Sequence, residues 1–373
     1  MTKKILIVLG TRPEAIKLSL LIKTLRCDKR FSVKVCITAQ HREMLDDVLE
    51  LFEIIPEYDL NIMKTGIGLN DITVKIISGL NDILEKFKPN IVLVQGDTTT
   101  VLTSALAAYN KQIPIAHVEA GLRTGQIYSP WPEEGNRKMT STITQYHFAP
   151  TLSAQENLLK ENIDPNIIYV TGNTVIDSLF WVQNKIQNDK ELKRNLDSDF
   201  SYIDFNKRII LVTGHRRESF GEGFKRICEA LSEIAKRNQD IQIIFPVHLN
   251  PNVQEPVNKI LKSIKNIILL KPLNYIRFQY LISKSYIVLT DSGGIQEEAP
   301  SLGKPVLVMR DITERPEAIE AGTVKLVGTN IKKIVNSVNN LLDKKKEYQK
   351  MSLLHNPYGD GKACGRIVEL LAN

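Results

Sequence analysis

The chain alternates short β-branched, apolar runs with longer amphipathic stretches from its first residues almost to its last. This alternation is typical of βαβ units, because two parallel strands of one sheet need a crossover connection between them, usually a helix. We therefore expect an α/β fold built on parallel sheets. The predicted strands of the first half are Lys4–Leu9, Val33–Thr38, Ile91–Val94, Ile115–Val118 and Tyr146–Ala149, with helices that include Pro13–Leu25 and Leu69–Phe87.

The alternation begins again in the second half, which predicts a second sheet. The break lies between Gly172 and Lys207, where Trp181–Leu196 predicts a helix and a polar connector follows. A length of 373 residues also favours two domains. We expect two Rossmann-like, doubly wound domains, residues 1–172 and 173–355, that face each other across a cleft. The predicted strands of the second half are Ile209–Thr213, Gln242–Phe245, Ile267–Leu269, Tyr286–Thr290 and Pro305–Val308, with helices at Phe220–Arg237, Gly293–Leu302 and Ile331–Leu342.

The composition excludes several classes of protein. With 43% hydrophobic and 24% charged residues, the chain is typical of a globular protein with buried cores. Its apolar runs are far shorter than the roughly 18 residues of a membrane-spanning helix, so we expect no membrane insertion. The apolar stretch after Lys3 and Lys4 ends at Gly10, too early for a signal peptide. The four cysteines are widely spaced, which argues against a zinc site and a disulfide scaffold and favours reduced thiols in the cytoplasm.

The chain is basic, with 49 Lys and Arg against 42 Asp and Glu, a net charge of +7. Such an excess is compatible with nucleic acid, an anionic membrane surface or a phosphorylated ligand. The basic residues are spread along the chain, and only Lys344–Lys346 forms a run, which we interpret as a solvated helix face. We therefore expect no nucleic-acid partner, and we expect a few cations to hold a small anionic ligand.

Polar segments follow five of the predicted strands. Ligands of doubly wound sheets bind beyond the carboxyl ends of the strands, where the strand order reverses, so these segments are expected to line one cleft. The segments are Gly10–Lys17, Gln95–Thr98, His117–Thr124, Thr213–Glu218 and Thr290–Glu298, and Pro130–Arg137 comes shortly after the third.

Two of these segments suit phosphate. In the first, Gly10 permits a tight turn, the following helix begins near Pro13, and Arg12 and Lys17 add positive charge to its N-terminus. The segment is neither Gly-x-Gly-x-x-Gly nor a Walker A loop, which disfavours dinucleotide binding and P-loop chemistry. In the last, the Ser-Gly-Gly turn that opens a helix is a natural anion nest, and Glu298 lies within reach of a ribose. In both, the alternative is that the glycines only shape a turn.

Together the segments place cations beside carboxylates. Cations suit a diphosphate, and carboxylates suit proton transfer. The alternatives are that the carboxylates pair with the arginines and that Asp97 caps a helix. No His-x-x-x-His or cysteine cluster indicates a metal site. The cations are Arg12, Lys17, His215, Arg216 and Arg315, and the carboxylates are Asp97, Glu119 and Glu133.

At this point the segments, taken together and in order, resemble those of the bacterial non-hydrolysing UDP-N-acetylglucosamine 2-epimerases. The resemblance implies a glycosyltransferase-B-like arrangement, with residues 356–373 packing back onto the first domain. It also implies reversible epimerisation at C2 of UDP-N-acetylglucosamine to UDP-N-acetylmannosamine, without NAD or metal, for cell-surface polysaccharides such as capsule. Homodimers are usual in this family. The residues that carry it are Gly10–Glu14, Gly96–Thr98, His117–Arg123, Pro132–Glu134, Gly214–Glu218 and Asp291–Glu298.

The resemblance further implies the roles of individual residues. The family is thought to eliminate UDP to 2-acetamidoglucal and to add it back, so at least two acid/base groups are needed. Which carboxylate serves which face of C2 stays open. By matching positions, Asp97, Glu119, Glu133 and His215 are expected to be catalytic. The expected ligands of the UDP-sugar are Arg12, Lys17, Arg216, Ser292, Gly293, Gly294, Glu298 and Arg315.

The sequence departs from the family pattern at the residues that bind a regulatory ligand in some members. Some members of the family bind a second substrate molecule as an activator through a Gln-His-Arg-Gln segment and a later arginine. Here Gln40 and His41 are followed by Glu43, and the later loop has Gly66 and no arginine. Gln40, His41 and His248 are the candidate regulatory residues, and the alternative is that the first two close a strand-to-helix turn.

Two other classes compete with the epimerase. A glycosyltransferase of the same fold would also bind a UDP-sugar, and a hydrolysing epimerase would release free N-acetylmannosamine. A nucleotide-sugar sensor without catalysis is disfavoured because all the proposed acid/base residues are present.

Overall fold

The structure, a computed structural model, describes residues 2–38, 42–62, 66–313 and 315–373. It divides the chain into two compact units. Unit 1 comprises residues 1–181 and 358–373, and unit 2 comprises residues 182–357.

Unit 1 is a parallel seven-stranded sheet flanked by helices. The strand order is β3-β2-β1-β4-β5-β6-β7, so the order reverses between β1 and β4. The strands are β1 (Lys3–Leu9), β2 (Phe31–Ile37), β3 (Tyr58–Asp59), β4 (Ile91–Gln95), β5 (Ile115–Val118), β6 (Tyr146–Ala149) and β7 (Ile168–Val170). The helices are α1 (Arg12–Cys27), α2 (Arg42–Leu51), α3 (Leu69–Phe87), α4 (Thr99–Asn110), α5 (Glu133–Ile143), α6 (Leu152–Lys160) and α7 (Thr174–Asn188), which carries the boundary between the units.

Unit 2 repeats this plan with six parallel strands. Their order is β10-β9-β8-β11-β12-β13, and here the reversal lies between β8 and β11. The strands are β8 (Arg208–Thr213), β9 (Ile241–Pro246), β10 (Ile267–Leu270), β11 (Ile287–Thr290), β12 (Val306–Val308) and β13 (Val324–Leu326). The helices are α8 (Lys190–Asp199), α9 (Glu222–Arg237), α10 (Pro251–Leu261), α11 (Tyr275–Lys284), α12 (Gly293–Ser301), α13 (Pro316–Glu320), α14 (Ile331–Asp343) and α15 (Lys345–Ser352). The last helix, α16 (Ala363–Ala372), belongs to unit 1.

Each sheet is buried on both faces. In β1, Leu6 and Val8 contribute to a core with α3 and α4, while Ile5 and Ile7, which point to the opposite face, are also fully buried. Burial on both faces explains the continuous apolar runs of the sequence, because strands of a sheet covered by helices on both sides have no solvent-facing positions. The prediction of two Rossmann-like parallel sheets is therefore confirmed.

The strands predicted from the sequence are all present, with ends within two residues of the prediction. The strands that the prediction missed are β3, β7 and β13. Each is two or three residues long and lies at an edge of its sheet, so it lacks a long apolar run. The helix predicted at Trp181–Leu196 is wrong. The chain forms α7 and α8 instead, because the Asp189 side chain accepts hydrogen bonds from Glu191 N and Leu192 N and so starts a new helix.

Candidate active site

In unit 1 the predicted site residues lie at the carboxyl ends of neighbouring strands. Arg12 opens α1 just after β1, Asp97 lies two residues beyond β4, and Glu119 directly follows β5. Because β1 and β4 are adjacent in the sheet, the loop that carries Arg12 and the loop that carries Asp97 lie at the reversal of strand order. That is the place where doubly wound sheets bind their ligands.

Glu119 is held on both of its carboxylate oxygens. Lys17 Nζ donates to Oε1 at 2.5 Å, Asn173 Nδ2 donates to the same oxygen at 3.1 Å, and Gln95 donates to Oε2. The residue is 7% exposed, and its φ of 64° is unusual for a residue other than glycine. Such backbone strain persists only where surrounding contacts fix it, and it is common at functional sites. The sequence predicted Lys17 and Glu119 separately, and the structure joins them as an ion pair.

Asp97 is contacted by helix α5. Arg137 Nη1 donates to Asp97 Oδ2 at 2.6 Å, and Asn136 Nδ2 donates to the Asp97 carbonyl oxygen at 2.8 Å. Asp97 is not the cap of α4. That position belongs to Thr98, whose hydroxyl accepts from Val101 N. The alternative of a capping role for Asp97 is therefore wrong. Its arginine partner is Arg137, which was not among the cations named from the sequence.

Glu133 is the first residue of α5, and one of its oxygens is available. Its Oε2 is buried and has no hydrogen-bond partner within the described part of the chain. A buried carboxylate oxygen without a donor is costly, so such groups call for an explanation. A ligand that donates to this oxygen would supply one, which is consistent with the predicted catalytic role.

The loop between β1 and α1 is organised by Glu14. Its Oε2 accepts from Gly10 N at 2.6 Å and from Thr11 N at 2.9 Å, and its Oε1 accepts from Thr98 Oγ1 at 2.5 Å. The N–H groups of Gly10 and Thr11 are therefore occupied by Glu14 and are not free to bind a phosphate. This favours the alternative that Gly10 shapes a turn. Burial raises the pKa of Glu14 to about 7, although Thr98 and the two N–H groups oppose the shift.

A buried histidine supports the neighbouring loop. His117 Nε2 lies 2.7 Å from the carbonyl oxygen of Gly96, the residue before Asp97. Burial lowers the pKa of His117 to about 4, so the ring is neutral at neutral pH, and we infer that Nε2 is the protonated nitrogen that donates to Gly96. His117 therefore supports the loop that carries Asp97.

In unit 2, Asp291 organises the loop that carries His215. Asp291 Oδ2 accepts from His215 N at 2.7 Å and from Arg216 N at 2.8 Å, and His215 Nδ1 lies 3.4 Å from Oδ1. The His215 ring stacks on His248 with centroids 5.5 Å apart. Burial lowers the pKa of His215, with smaller contributions from Arg216 and His248, and Asp291 opposes the shift.

The N-terminus of α12 is open and lined by glycine. Ser292 is the N-cap residue, and its side chain makes no capping hydrogen bond in the described structure. A Cβ on Gly293 would lie 3.0 Å from Arg315 Cζ, so a larger residue there would require this guanidinium to shift away from the helix start. Arg315 Nε also donates to Glu297 Oε1 at 2.8 Å. An open helix N-terminus beside a guanidinium suits an anion.

Glu298, one turn further along α12, is held from α11. Its Oε2 accepts from Tyr275 OH at 3.2 Å and from Gln279. The candidate regulatory residues Gln40 and His41 lie outside the described residues, and so does the side chain of Glu43.

The sequence prediction gave no role to the residues that hold the site residues in place, although five of these lie within the segments that it placed at the site. The other three, Asn173, Tyr275 and Gln279, lie outside those segments and had no sequence signal, because they approach the site residues only through tertiary packing. These supporting residues are Glu14, Gln95, Arg137, Asn173, Tyr275, Gln279, Asp291 and Glu297.

The described residues include no group of three or more His, Cys, Asp or Glu side chains arranged to hold a metal ion. None of the described helices is both long and apolar enough to cross a lipid bilayer.

The comparisons with known proteins agree with one another. A sequence profile described as UDP-N-acetylglucosamine 2-epimerase matches residues 23–372. The UDP-N-acetylglucosamine 2-epimerase of Yersinia pestis is 60% identical over 370 residues, covering 99% of this chain and 98% of the relative. The protein of the same name from Escherichia coli (strain K12) is 59% identical with the same coverage.

Solved structures extend this similarity to three dimensions. The UDP-GlcNAc 2-epimerase of Neisseria meningitidis, crystallised with UDP-GlcNAc bound, has a TM-score of 0.94 and 53% identity, covering 99% of this chain and 100% of that one. The UDP-GlcNAc 2-epimerase of Methanocaldococcus jannaschii, in complex with UDP-GlcNAc and UDP, has a TM-score of 0.83 and 37% identity, covering 99% of each chain.

Proposed function

This chain belongs to the UDP-N-acetylglucosamine 2-epimerase family, and from that premise we propose how its own residues carry out the reaction. It is an isomerase that reversibly interconverts UDP-N-acetylglucosamine and UDP-N-acetylmannosamine. The proposal concerns the steps of the reaction, the roles of individual residues, and the setting in which the enzyme works.

The reaction proceeds by elimination and re-addition. The C2 proton is not adjacent to a carbonyl group, so its direct removal would be very slow. The bond between C1 and the diphosphate oxygen breaks first, and its electron pair leaves with UDP. The positive charge at C1 acidifies C2–H, a carboxylate takes the proton, and a C1=C2 double bond forms. Protonation of C2 from the other face and attack of UDP on C1 then give the epimer.

The carboxylates of unit 1 supply the acid/base groups. Asp97 and Glu119 follow neighbouring strands, and Glu133 begins α5, which also carries the arginine that contacts Asp97. Inversion at C2 needs a proton donor or acceptor on each face, so at least two of these three carboxylates transfer protons. Lys17 pairs closely with Glu119, so a positive charge lies next to the carboxylates. This charge supports binding of the leaving diphosphate beside the carboxylates.

The loops of unit 2 hold the UDP portion. The open helix start at Ser292, Gly293 and Gly294 and the Arg315 guanidinium bind the diphosphate, while Glu298 accepts hydrogen bonds from the ribose. His215 donates to the departing diphosphate. Its backbone is fixed by Asp291, so the donor is preorganised, and donors of this kind contribute several kcal/mol in enzymes. Arg12, Lys17 and Arg216 complete the set of cations.

The observation that carries this mechanism is the pair of carboxylates at the ends of β4 and β5, each held by a cation. The test is incubation of the purified enzyme with UDP-N-acetylglucosamine in D₂O and without an acceptor. We expect both epimers at equilibrium, with deuterium at C2 of each. Absence of C2 deuterium in the epimer would contradict the elimination mechanism.

The same experiment separates the competing functions. A glycosyltransferase would leave the substrate unchanged without an acceptor. A hydrolysing epimerase would accumulate free N-acetylmannosamine and UDP. A sensor would bind the nucleotide sugar without converting it.

We further propose that the enzyme works in the cytoplasm as a homodimer and supplies cell-surface polysaccharide synthesis such as capsule. The family resemblance supports each of these points. Exposed aromatic side chains in unit 1, with Tyr128 80% and Trp131 62% exposed, are compatible with a protein interface.

We also propose His248 as a regulatory residue, because its ring stacks on the ring of His215. A ligand that contacts His248 would therefore change the surroundings of the catalytic His215 ring.

A further inference from the structure

Helix α5 contacts Asp97 through two adjacent residues. Asn136 holds its carbonyl oxygen at 2.8 Å, and Arg137 holds its carboxylate at 2.6 Å. Both helix residues are 5% exposed, whereas the Asp97 side chain is 30% exposed. The main chain and the side chain of Asp97 are thus fixed from the buried side, and the carboxylate is left accessible from the other.

Arg137 is itself held in one orientation. Its Nε and Nη2 donate to Glu134 Oε2 at 3.1 and 2.9 Å, which leaves Nη1 for Asp97. Glu134 is fully buried and also accepts from Thr124 N and Gly125 N at 3.1 Å each. Burial raises the pKa of Glu134, but these N–H groups and Arg137 outweigh burial and leave it below its ordinary value. Glu134 is therefore ionised and anchors the guanidinium permanently.

We propose that Arg137 is a positioning residue for the reaction: it holds the Asp97 carboxylate in one orientation, aimed at C2 of the substrate. This inference rests on the proposed acid/base role of Asp97. Because Arg137 lies four residues after Glu133 on the same helix, the helix that presents one carboxylate also sets the orientation of the other.

An arginine suits this position because its planar guanidinium can bridge two carboxylates. Nε and Nη2 face Glu134 while Nη1 faces Asp97, so the side chain is fixed on one side and orients the Asp97 carboxylate on the other. Without Arg137, Asn136 still holds the Asp97 carbonyl oxygen, but the carboxylate loses its contact with α5.

The test measures kcat, KM and C2 deuterium incorporation at neutral pH for the wild type, Arg137→Met and Arg137→Lys. We expect Arg137→Met to lose on the order of 10²-fold in kcat, with KM changed little. The rate of C2 deuterium incorporation is expected to fall by the same factor. Arg137→Lys keeps the charge but cannot bridge the carboxylates of Glu134 and Asp97. Its kcat is therefore expected to lie between those of the wild type and Arg137→Met.

The matched control is Arg123→Met. Arg123 is also a buried arginine of unit 1, with 7% side-chain exposure, and it pairs with Glu161. Its removal is expected to lower the free energy of unfolding without the 10²-fold loss of kcat. If Arg137→Met fails to fold, the variant Glu134→Gln/Arg137→Met, which removes the buried pair together, takes its place with the same expected loss of kcat.

A kcat close to that of the wild type in folded Arg137→Met, or an equal loss of kcat in folded Arg123→Met, would overturn the inference, because a positioning role depends on the contact with Asp97 and not on a buried ion pair as such. Failure of the proposed function looks different, since the wild type itself would then incorporate no deuterium at C2.

Discussion

At the scale of single residues, the site is defined by how its acidic groups are held. Glu119 has donors on both oxygens, Asp97 has one arginine, and Glu133 keeps a buried oxygen without a partner in the described structure. Glu14 differs from all three, because burial outweighs its hydrogen bonds and raises its pKa. The same side-chain chemistry therefore serves different purposes according to burial and partners.

The raised pKa of Glu14 predicts a pH-dependent loss of stability. Below pH 4.5 the carboxyl is protonated in both the folded and the unfolded chain, so nothing is lost. Between pH 4.5 and about 7 the unfolded chain ionises while the folded chain retains the proton, and the free energy of unfolding falls by about 3 kcal/mol. Urea denaturation at pH 5 and pH 8 is expected to show this fall in the wild type and not in Glu14→Gln.

The control for that experiment is Glu53→Gln. Glu53 has a 69% exposed side chain, in an ion pair with Lys23. Its replacement is expected to change stability by less than about 1 kcal/mol at either pH. An equal pH dependence in the wild type and Glu14→Gln would contradict the assignment of the proton to Glu14.

At the scale of elements, the C-terminal helix α16 is attached to unit 1 by its first turn. Asp177 of α7, 3% exposed, accepts from Cys364 N at 2.8 Å and from Ala363 N at 3.2 Å. At the other end of the helix, Lys3 Nζ donates to the Leu371 carbonyl oxygen at 2.7 Å. Asp177 thus serves as a capping group supplied by another helix, because a buried helix start needs acceptors for its N–H groups.

Removal of this cap is expected to loosen α16. Asp177→Ala leaves two buried N–H groups without an acceptor, which costs roughly 1–3 kcal/mol in the free energy of unfolding. Hydrogen exchange is expected to accelerate in residues 363–372 more than in the central strands of unit 1. The control is Asp177→Asn, which keeps one acceptor oxygen. Its exchange rate in residues 363–372 is expected to lie between those of the wild type and Asp177→Ala. Unchanged exchange in α16 would show that apolar packing alone holds the helix.

At the scale of the whole molecule, the two units share one plan. In both sheets the strand order reverses beside the first strand of the unit, and in both the site residues follow the strands at that reversal. The units differ in chemistry: unit 1 carries the carboxylates Asp97, Glu119 and Glu133, and unit 2 carries a glycine-lined helix start.

The proposed homodimer predicts the mass of the assembly in solution. The chain has a mass of 42.2 kDa, so light scattering after size-exclusion chromatography is expected to give about twice that value. The mass should persist across a tenfold dilution if the dimer is stable. A mass of one chain at micromolar concentration would contradict the dimer and would leave the epimerase assignment untouched.

The sequence by itself determined the fold class, the strand ends that carry the site residues and the family. These features are local, since each depends on the periodicity of one segment or on the order of short motifs. The tertiary structure alone decided the partners of the acidic groups. Lys17 and Glu119 are 102 positions apart, and Arg137 and Asp97 are 40 apart. The order of the strands and the rotation of the helices decide which cation contacts which carboxylate. Neither can be predicted from the periodicity of a single segment.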